Sequence, residues 1–430
     1  MMERAKTLCL AVLIAASLVQ SYLLAYSEPK FDTIIPTDYV ESKLEGTQAE
    51  LAALLFPKDI VLHFGNGEHT LLYPHMIFYR MILEVVEQRT FDGLREAAFA
   101  SETAQDAAGV EIRFAGELPL SLLQQAMNLK GEGLHAAAPI DRIHIFTQPG
   151  REDVRVFFVG SDGAYEATRA DLTVKDVERF VGFGEARTRY TAASGGHYLP
   201  DEPLPMVQYT YESRRFTADQ LQRSLFPDPF STRNLTERDG SEIYTDGKRG
   251  LQLSTEREWF SYTDPAATAE GERTALETAL SAVQFVNRHG GWNGDYMLES
   301  IRQDQPNGAE QSVVFRHYVG TYPGSYPIIG TRNGAPFGPI ELTLRNRNVT
   351  SYERSTVQLD GQPVGRMPLH LPGGDRLLKL WNAYSEKALV RAIFPAYRAN
   401  FAEDRVVLEP IWALSMIDGS VRALPGGGAY

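Results

Sequence analysis

FTADQLQRSLFPDPF at residues 216–230, followed by EIYTDGKRGLQLSTEREWFSY at residues 242–262, sets a helix beside a run of short strands. Thr217 is placed as an N-cap for a helix reaching Phe226. Pro227 and Pro229 stop it, because proline lacks the amide that a helix interior needs. Beyond, Glu242–Thr245, Arg249–Ser254 and Trp259–Tyr262 are short runs broken by turn residues, which predicts a β-meander. Asp246-Gly247 is expected to form a type I′ turn. Thr274–His289 has the spacing of an amphipathic helix ended by Gly290-Gly291. Met297–Ile301, Val313–Gly320, Ile340–Asn346 and Val349–Val357 then read as strands. Helices and strands in this succession define an α+β unit.

The same reading extends in both directions. Toward the N-terminus, residues 30–190 read as a further α+β region. Val40–Phe56 has helical spacing, and Lys58–Phe64 and His69–Tyr73 form a hairpin around Gly65-Asn66-Gly67. Met76, Ile77, Phe78, Met81, Ile82, Val85 and Val86 repeat with helical period. Strands follow at Val110–Ala115, Arg142–Thr147, Val154–Val159 and Ala164–Arg169, with a helix at Val174–Phe183. Thr191–Pro205 carries Ser194-Gly195-Gly196 and three prolines without periodicity, and is read as a linker. Residues 206–360 are expected as one α+β domain. Residues 361–430 add a C-terminal subdomain with a helix at Arg376–Phe394 and strands at Val406–Leu414 and Ser420–Leu424.

Composition narrows the function. The 430 residues are 43% hydrophobic and 23% charged, with a formal net charge of -13. That balance offers nothing to a nucleic acid and repels anionic lipid and wall polymers, so it favours a protein partner. The single cysteine, Cys9, excludes an internal disulfide. Thr7–Tyr26 is uncharged and matches the roughly 20 apolar residues needed to cross a bilayer as a helix. Arg4 and Lys6 precede it, whereas Glu28 and Asp32 follow. The positive-inside rule therefore puts residues 1–6 in the cytoplasm and the bulk outside a cell membrane crossed once. A cleavable signal peptide, cut between Ser27 and Glu28, is the alternative. On a helical wheel Leu10, Leu13, Ser17, Gln20, Ser21 and Leu24 share one face, which is expected to bind a partner's transmembrane helix. The competing reading has Ser17 and Ser21 bonding their own helix carbonyls and Gln20 reaching toward the interface.

Catalytic signatures are missing. The chain has no G-x-S-x-G nucleophile turn, no G-x-x-x-x-G-K-[ST] phosphate loop and no H-E-x-x-H zinc helix. His63 and His69 are expected to face one another across the first hairpin, where they could hold a metal, but with no nearby cysteine and His75 entering a helix the three are read as structural or solvent-facing and no metal or cofactor is assigned. His197 is placed in the linker and read as solvated. Asn234 and Asn348 begin Asn-x-Thr sequons that matter only in a eukaryotic secretory pathway. The Tyr318–Tyr326 segment is read as a turn joining two strands, with peptide or glycan binding as its alternative.

Several short motifs then point one way. They are Leu54-Leu55-Phe56-Pro57-Lys58, Leu72-Tyr73-Pro74, Val207-Gln208-Tyr209-Thr210-Tyr211, Ser224-Leu225-Phe226-Pro227-Asp228-Pro229, Ile243-Tyr244-Thr245-Asp246-Gly247 and Leu408-Glu409-Pro410-Ile411-Trp412. With the charged N-terminus and single apolar span, they make the chain resemble the YycH family along nearly its full length. The resemblance implies a non-enzymatic, membrane-anchored regulator with a three-part extracytoplasmic body. It further implies the WalK (YycG) sensor histidine kinase and a YycI-like membrane protein, sharing the later fold, as partners. Control of cell-wall homeostasis through membrane-helix contacts would follow, with its direction left open. The alternatives are a membrane-tethered envelope enzyme, a wall glycan- or peptide-binding module, or a sensor of a small envelope ligand.

Overall fold

Strand Asp59–Phe64, with the sequence DIVLHF, is buried along nearly its whole length, and its two faces enter two different cores. Ile60 and Leu62 face the first core while Val61 faces the second, because successive side chains of a strand point to opposite sides. Around it lies a ten-stranded sheet. From edge to edge its strands are His197–Pro200, Tyr190–Ala193, His69–Leu72, Asp59–Phe64, Ala108–Pro119, Pro139–Thr147, Val154–Gly160, Gly163–Ala170, Thr90–Glu96 and Asn128–Lys130. The structure is a computed structural model. It describes Lys6, Ser17 and residues 46–430, apart from 131–136, 149, 151, 266–273, 304–309, 322, 347 and 403.

A 14-stranded sheet makes up most of the rest. One half holds the expected meander, Glu242–Thr245, Gly250–Ser254 and Trp259–Thr263, preceded by an edge strand Arg233–Thr236 that was not expected and continued by Asn348–Ser355, Pro339–Arg345 and Gln311–Val319. Tyr326–Ile329 then pairs in parallel with Val390–Ala402, which leads to Arg405–Met416, Leu204–Arg215 and Val357–Leu371. Asp295–Gln303 and Val421–Gly428 pair beside this path. The two sheets meet closely at Gly116, where a Cβ would lie 2.5 Å from the Glu299 carbonyl oxygen.

The helices follow their caps. Thr173, Thr217 and Thr274 each accept the amide three residues on, and Asp176, Gln220 and Glu277 bond back to them, closing capping boxes. Ala218–Leu225 ends before Pro227, and Ala275–Arg288 ends before Gly290-Gly291, as the spacing predicted. Ile77–Gln88 buries Tyr79, Ile82 and Val86 at helical intervals. Among the described residues no helix is long and apolar enough to cross a membrane. The expected span Thr7–Tyr26 lies outside them except for Ser17, which is helical and exposed.

Some expectations give way. The described part of Val40–Phe56 is extended apart from one 3-10 turn at Leu51–Leu54. Thr47 is bridged to Trp292, and Gly46 passes too close to Gly290 for any Cβ, so the start of this segment lies along the Gly290–Trp292 backbone and is not helical. The Asp246-Gly247 pair is not a type I′ turn, since only Gly247 has positive φ. Asp246 Oδ1 instead accepts the amides of Lys248 and Arg249 in a four-residue loop. The expected linker is folded as the hairpin Tyr190–Ala193 and His197–Pro200. Gly195 and Gly196 supply its positive φ, and Pro200 sits on the edge strand, where a missing amide breaks no inner ladder. The helix expected at Arg376–Phe394 stops at Ala383, and Val390–Ala402 joins the sheet. Strand Val357–Leu371 runs unbroken through the 360/361 boundary, and Val40–Tyr430 forms one compact unit.

Candidate functional site

Three neighbouring strands bring charged side chains onto one face. Asp59, Val61 and His63 lie opposite Arg113, Glu111 and Gly109, which in turn lie opposite Arg142, His144 and Phe146. Alternation puts Asp59, His63, Glu111, Arg113, Arg142 and His144 on the same side of the sheet. The residues between them, such as Leu62, Ile112 and Ile143, fill the first core. Gly109 leaves the room this face needs, since a Cβ there would meet the Phe146 side chain at 2.7 Å. Tyr198, from the hairpin expected as a linker, covers the face and brings its hydroxyl 3.4 Å from Glu111 Oε2.

His63, His69, Glu111 and His144 are each no more than 3% exposed. The first hairpin pairs His63 with His69 as the spacing predicted, with their Nδ1 atoms 2.9 Å apart. His63 Nε2 is 3.3 Å from Glu111 Oε2, and His144 Nε2 is 3.8 Å from Oε1. Burial opposes ionisation of Glu111, but the imidazoles of His144 and His63 and the Arg113 guanidinium hold its carboxyl well below the usual range. Burial lowers His144 and His69 to about 4, so both are neutral at physiological pH. These three residues, His63, Glu111 and His144, form a group of buried metal-ligand type.

Beside this cluster a cavity of about 400 Å³ opens between the two sheets. Lys58, Asp59, Arg113, Asp141 and Arg142 line it from the first sheet, and Glu299, Arg316, Tyr318, Ser325 and Tyr326 line it from the second and its adjoining turn. Three of its carboxylates are held by guanidinium groups. Arg113 reaches both oxygens of Asp59 at 2.6 and 2.9 Å, Arg142 both oxygens of Asp141 at 2.8 and 3.0 Å, and Arg316 binds Glu299 Oε2 at 2.7 and 3.1 Å. Burial lowers Lys58 to about 8, with Asp59 pulling the other way.

The remaining expected residues fall as follows. His75 leaves the cluster and pairs with Asp295 at 3.0 Å on the surface. His197, expected in solvent, is buried against Trp381, because the hairpin that carries it packs onto the second core. Tyr318–Tyr326 does join two strands, and its buried Tyr318, Ser325 and Tyr326 line the cavity. Asn234 and Asn348 are exposed. Of the face Leu10, Leu13, Ser17, Gln20, Ser21 and Leu24, all but Ser17 lie outside the described residues. Glu111 and His144 were not singled out in the sequence. Their signal is a titratable residue at alternate positions of strands whose other face is apolar, a pattern that also describes a solvated face.

Comparison with known proteins agrees with this architecture. The YycH protein N-terminal domain matches residues 3–182, and the YycH protein C-terminal domain matches residues 195–425. The chain belongs to the YycH family. The two family domains are separated by residues 183–194, which include the first strand of the Tyr190–Pro200 hairpin. A YycH relative from Bacillus subtilis (strain 168), named two-component system WalR/WalK regulatory protein YycH, is 20% identical over 446 residues, covering 96% of this chain and 94% of its own. The crystal structure of YycH from Bacillus subtilis superposes with a TM-score of 0.66 at 16% identity, covering 88% of this chain and 98% of that one. The YycH fold is therefore shared across both sheets.

Proposed function

We propose that this chain is a non-enzymatic regulator in a WalR/WalK-type two-component system, acting on a WalK (YycG) sensor histidine kinase together with a YycI-like partner to control cell-wall homeostasis. It does so from a single transmembrane helix at residues 7–26, with residues 1–6 cytoplasmic and the body extracytoplasmic. Coextension carries this reading: the family domains run from residue 3 to residue 425, and the named regulatory relative is matched over 94% of its length. The match includes Arg4, Lys6 and the apolar run, the parts that would anchor and orient the chain.

The chemistry of the cavity supports the non-enzymatic part. Asp59, Asp141 and Glu299 are each bound by a guanidinium group, so their oxygens are already engaged within the protein. The regulatory contact then falls to surfaces. In the membrane it is the face of Leu10, Leu13, Ser17, Gln20, Ser21 and Leu24, where small and polar residues allow close helix approach.

Capture of the full chain from membranes in mild detergent tests this. A sensor kinase and a YycI-like membrane protein are expected to elute with it, and both are expected to be lost when residues 7–26 are replaced by an unrelated span. Elution of the wild-type chain without either protein would remove the reading.

A further inference from the structure

We propose that His63, Glu111 and His144 bind one divalent transition-metal ion, with Zn²⁺ as the matching probe. Their ligand atoms, His63 Nε2, a Glu111 oxygen and His144 Nε2, all lie within 4.8 Å of one another. His63 Nε2 lies 3.3 Å from Glu111 Oε2, the roughly 3.3 Å expected between ligands of a tetrahedral ion bound at about 2.0–2.1 Å, and His144 Nε2 lies 3.8 Å from the other oxygen, Oε1. Two imidazoles and one carboxylate suit Zn²⁺, Co²⁺ or Fe²⁺, whereas Mg²⁺ and Ca²⁺ prefer oxygen throughout.

A second observation points to a ligand. The Nε2 atoms of His63 and His144 are buried and face Glu111 at 3.3 and 3.8 Å without forming a well-aligned hydrogen bond. Buried polar atoms left unpaired are costly, so two of them converging on one carboxylate mark a place where something binds. The surroundings also fix the ring that binds. One of the two facing Nδ1 atoms must donate to the other. With the proton on His63, its Nε2 presents a lone pair to the ion, and His69 becomes the outer partner that orients a metal-binding histidine. The Tyr198 hydroxyl donates to Glu111 Oε2 at 3.4 Å and helps to hold the carboxylate. Arg113, whose charge acts on Glu111, is bound bidentately by Asp59, which reduces its repulsion of an incoming ion. Three protein ligands leave a fourth position, and Glu111 and Tyr198 both border the cavity through which an ion would enter.

The site goes beyond the regulatory reading and does not depend on it. Its test uses the full chain, tag-free and in mild detergent, equilibrated with ZnCl₂, desalted and analysed for metal. One Zn²⁺ per chain is expected. His144→Gln and Glu111→Gln should each weaken binding by about 100-fold or more, and His69→Phe by about 10- to 100-fold as a positioning residue. His75→Ala, remote from the cluster, should bind as the wild type does. Circular dichroism of each variant separates loss of the site from loss of the fold, and if Glu111→Gln does not fold, His144→Gln carries the comparison. The Co²⁺-loaded wild type gives an independent readout, an intense four-coordinate visible spectrum that an adventitious surface ion with six oxygen ligands lacks. A wild-type chain that retains no Zn²⁺, or a folded His144→Gln chain that binds it as tightly as the wild type, overturns the proposal.

Discussion

His289 lies under Phe285, with ring centroids 4.2 Å apart, and its Nδ1 is 2.6 Å from the Ser224 carbonyl oxygen. His317 stacks on Tyr296 with the ring planes 11° apart. Burial lowers both imidazoles from 6.5 to about 4. A depressed folded-state value means that the unfolded chain takes up protons first as the pH falls. Each residue's contribution is therefore complete above about pH 6.5 and is lost between there and about pH 4, up to about 3 kcal/mol at the lower limit. Urea unfolding of the wild type should show its midpoint falling steadily across this window, and His289→Asn should flatten that slope. Equal slopes for the two chains would exclude His289 as a source of acid sensitivity. The sequence spacing was enough to oppose His63 and His69 across a hairpin. It was not enough to find Glu111 and His144, whose strands place them beside His63 only through the register of pairings formed far apart in the chain.

Elements with strong local signals were legible. Ala218–Leu225 and Ala275–Arg288 have threonine caps and proline or glycine stops, and the meander has strands separated by turn residues. Segments whose structure depends on distant partners were not. Leu204–Arg215 lies between Arg405–Met416 and Val357–Leu371, so the pairing that makes it a strand comes from chain ends far from it. The hairpin at Tyr190–Pro200 looked like a linker because its glycines and prolines serve a turn and an edge. In the proposed membrane helix, Gln20→Leu removes an interhelical hydrogen bond worth about 0.6–2 kcal/mol, which weakens association with the kinase helices roughly 3- to 30-fold. Ser17→Leu and Ser21→Leu add bulk to the same close face and should weaken it further. Leu18→Ala, on the opposite side, should change little. Crosslinking between membrane helices, normalised to expression, measures this, and equal signals from all four variants would move the contact to the outer body.

The two family domains share one apolar core. Ile60, Ile112 and Phe158 from the N-terminal part belong to the same buried cluster as Val283, Phe315 and Tyr352 from the C-terminal part. Two sheets joined in this way should unfold together. All four tryptophans, Trp259, Trp292, Trp381 and Trp412, lie in the C-terminal part, so their fluorescence follows that part while far-UV circular dichroism follows both. The two urea transitions are expected to coincide, and separate midpoints would restore a flexible link at residues 191–205. In the proposed regulation the body passes a conformational bias to the sensor kinase. Autophosphorylation of the sensor kinase in lipid vesicles, with and without the full chain and its YycI-like partner, measures that bias. A change in rate of about fivefold or more in one direction, reduced by Gln20→Leu, is the expected result. An autophosphorylation rate that stays the same when both proteins are present at saturating amounts would contradict the proposed regulation.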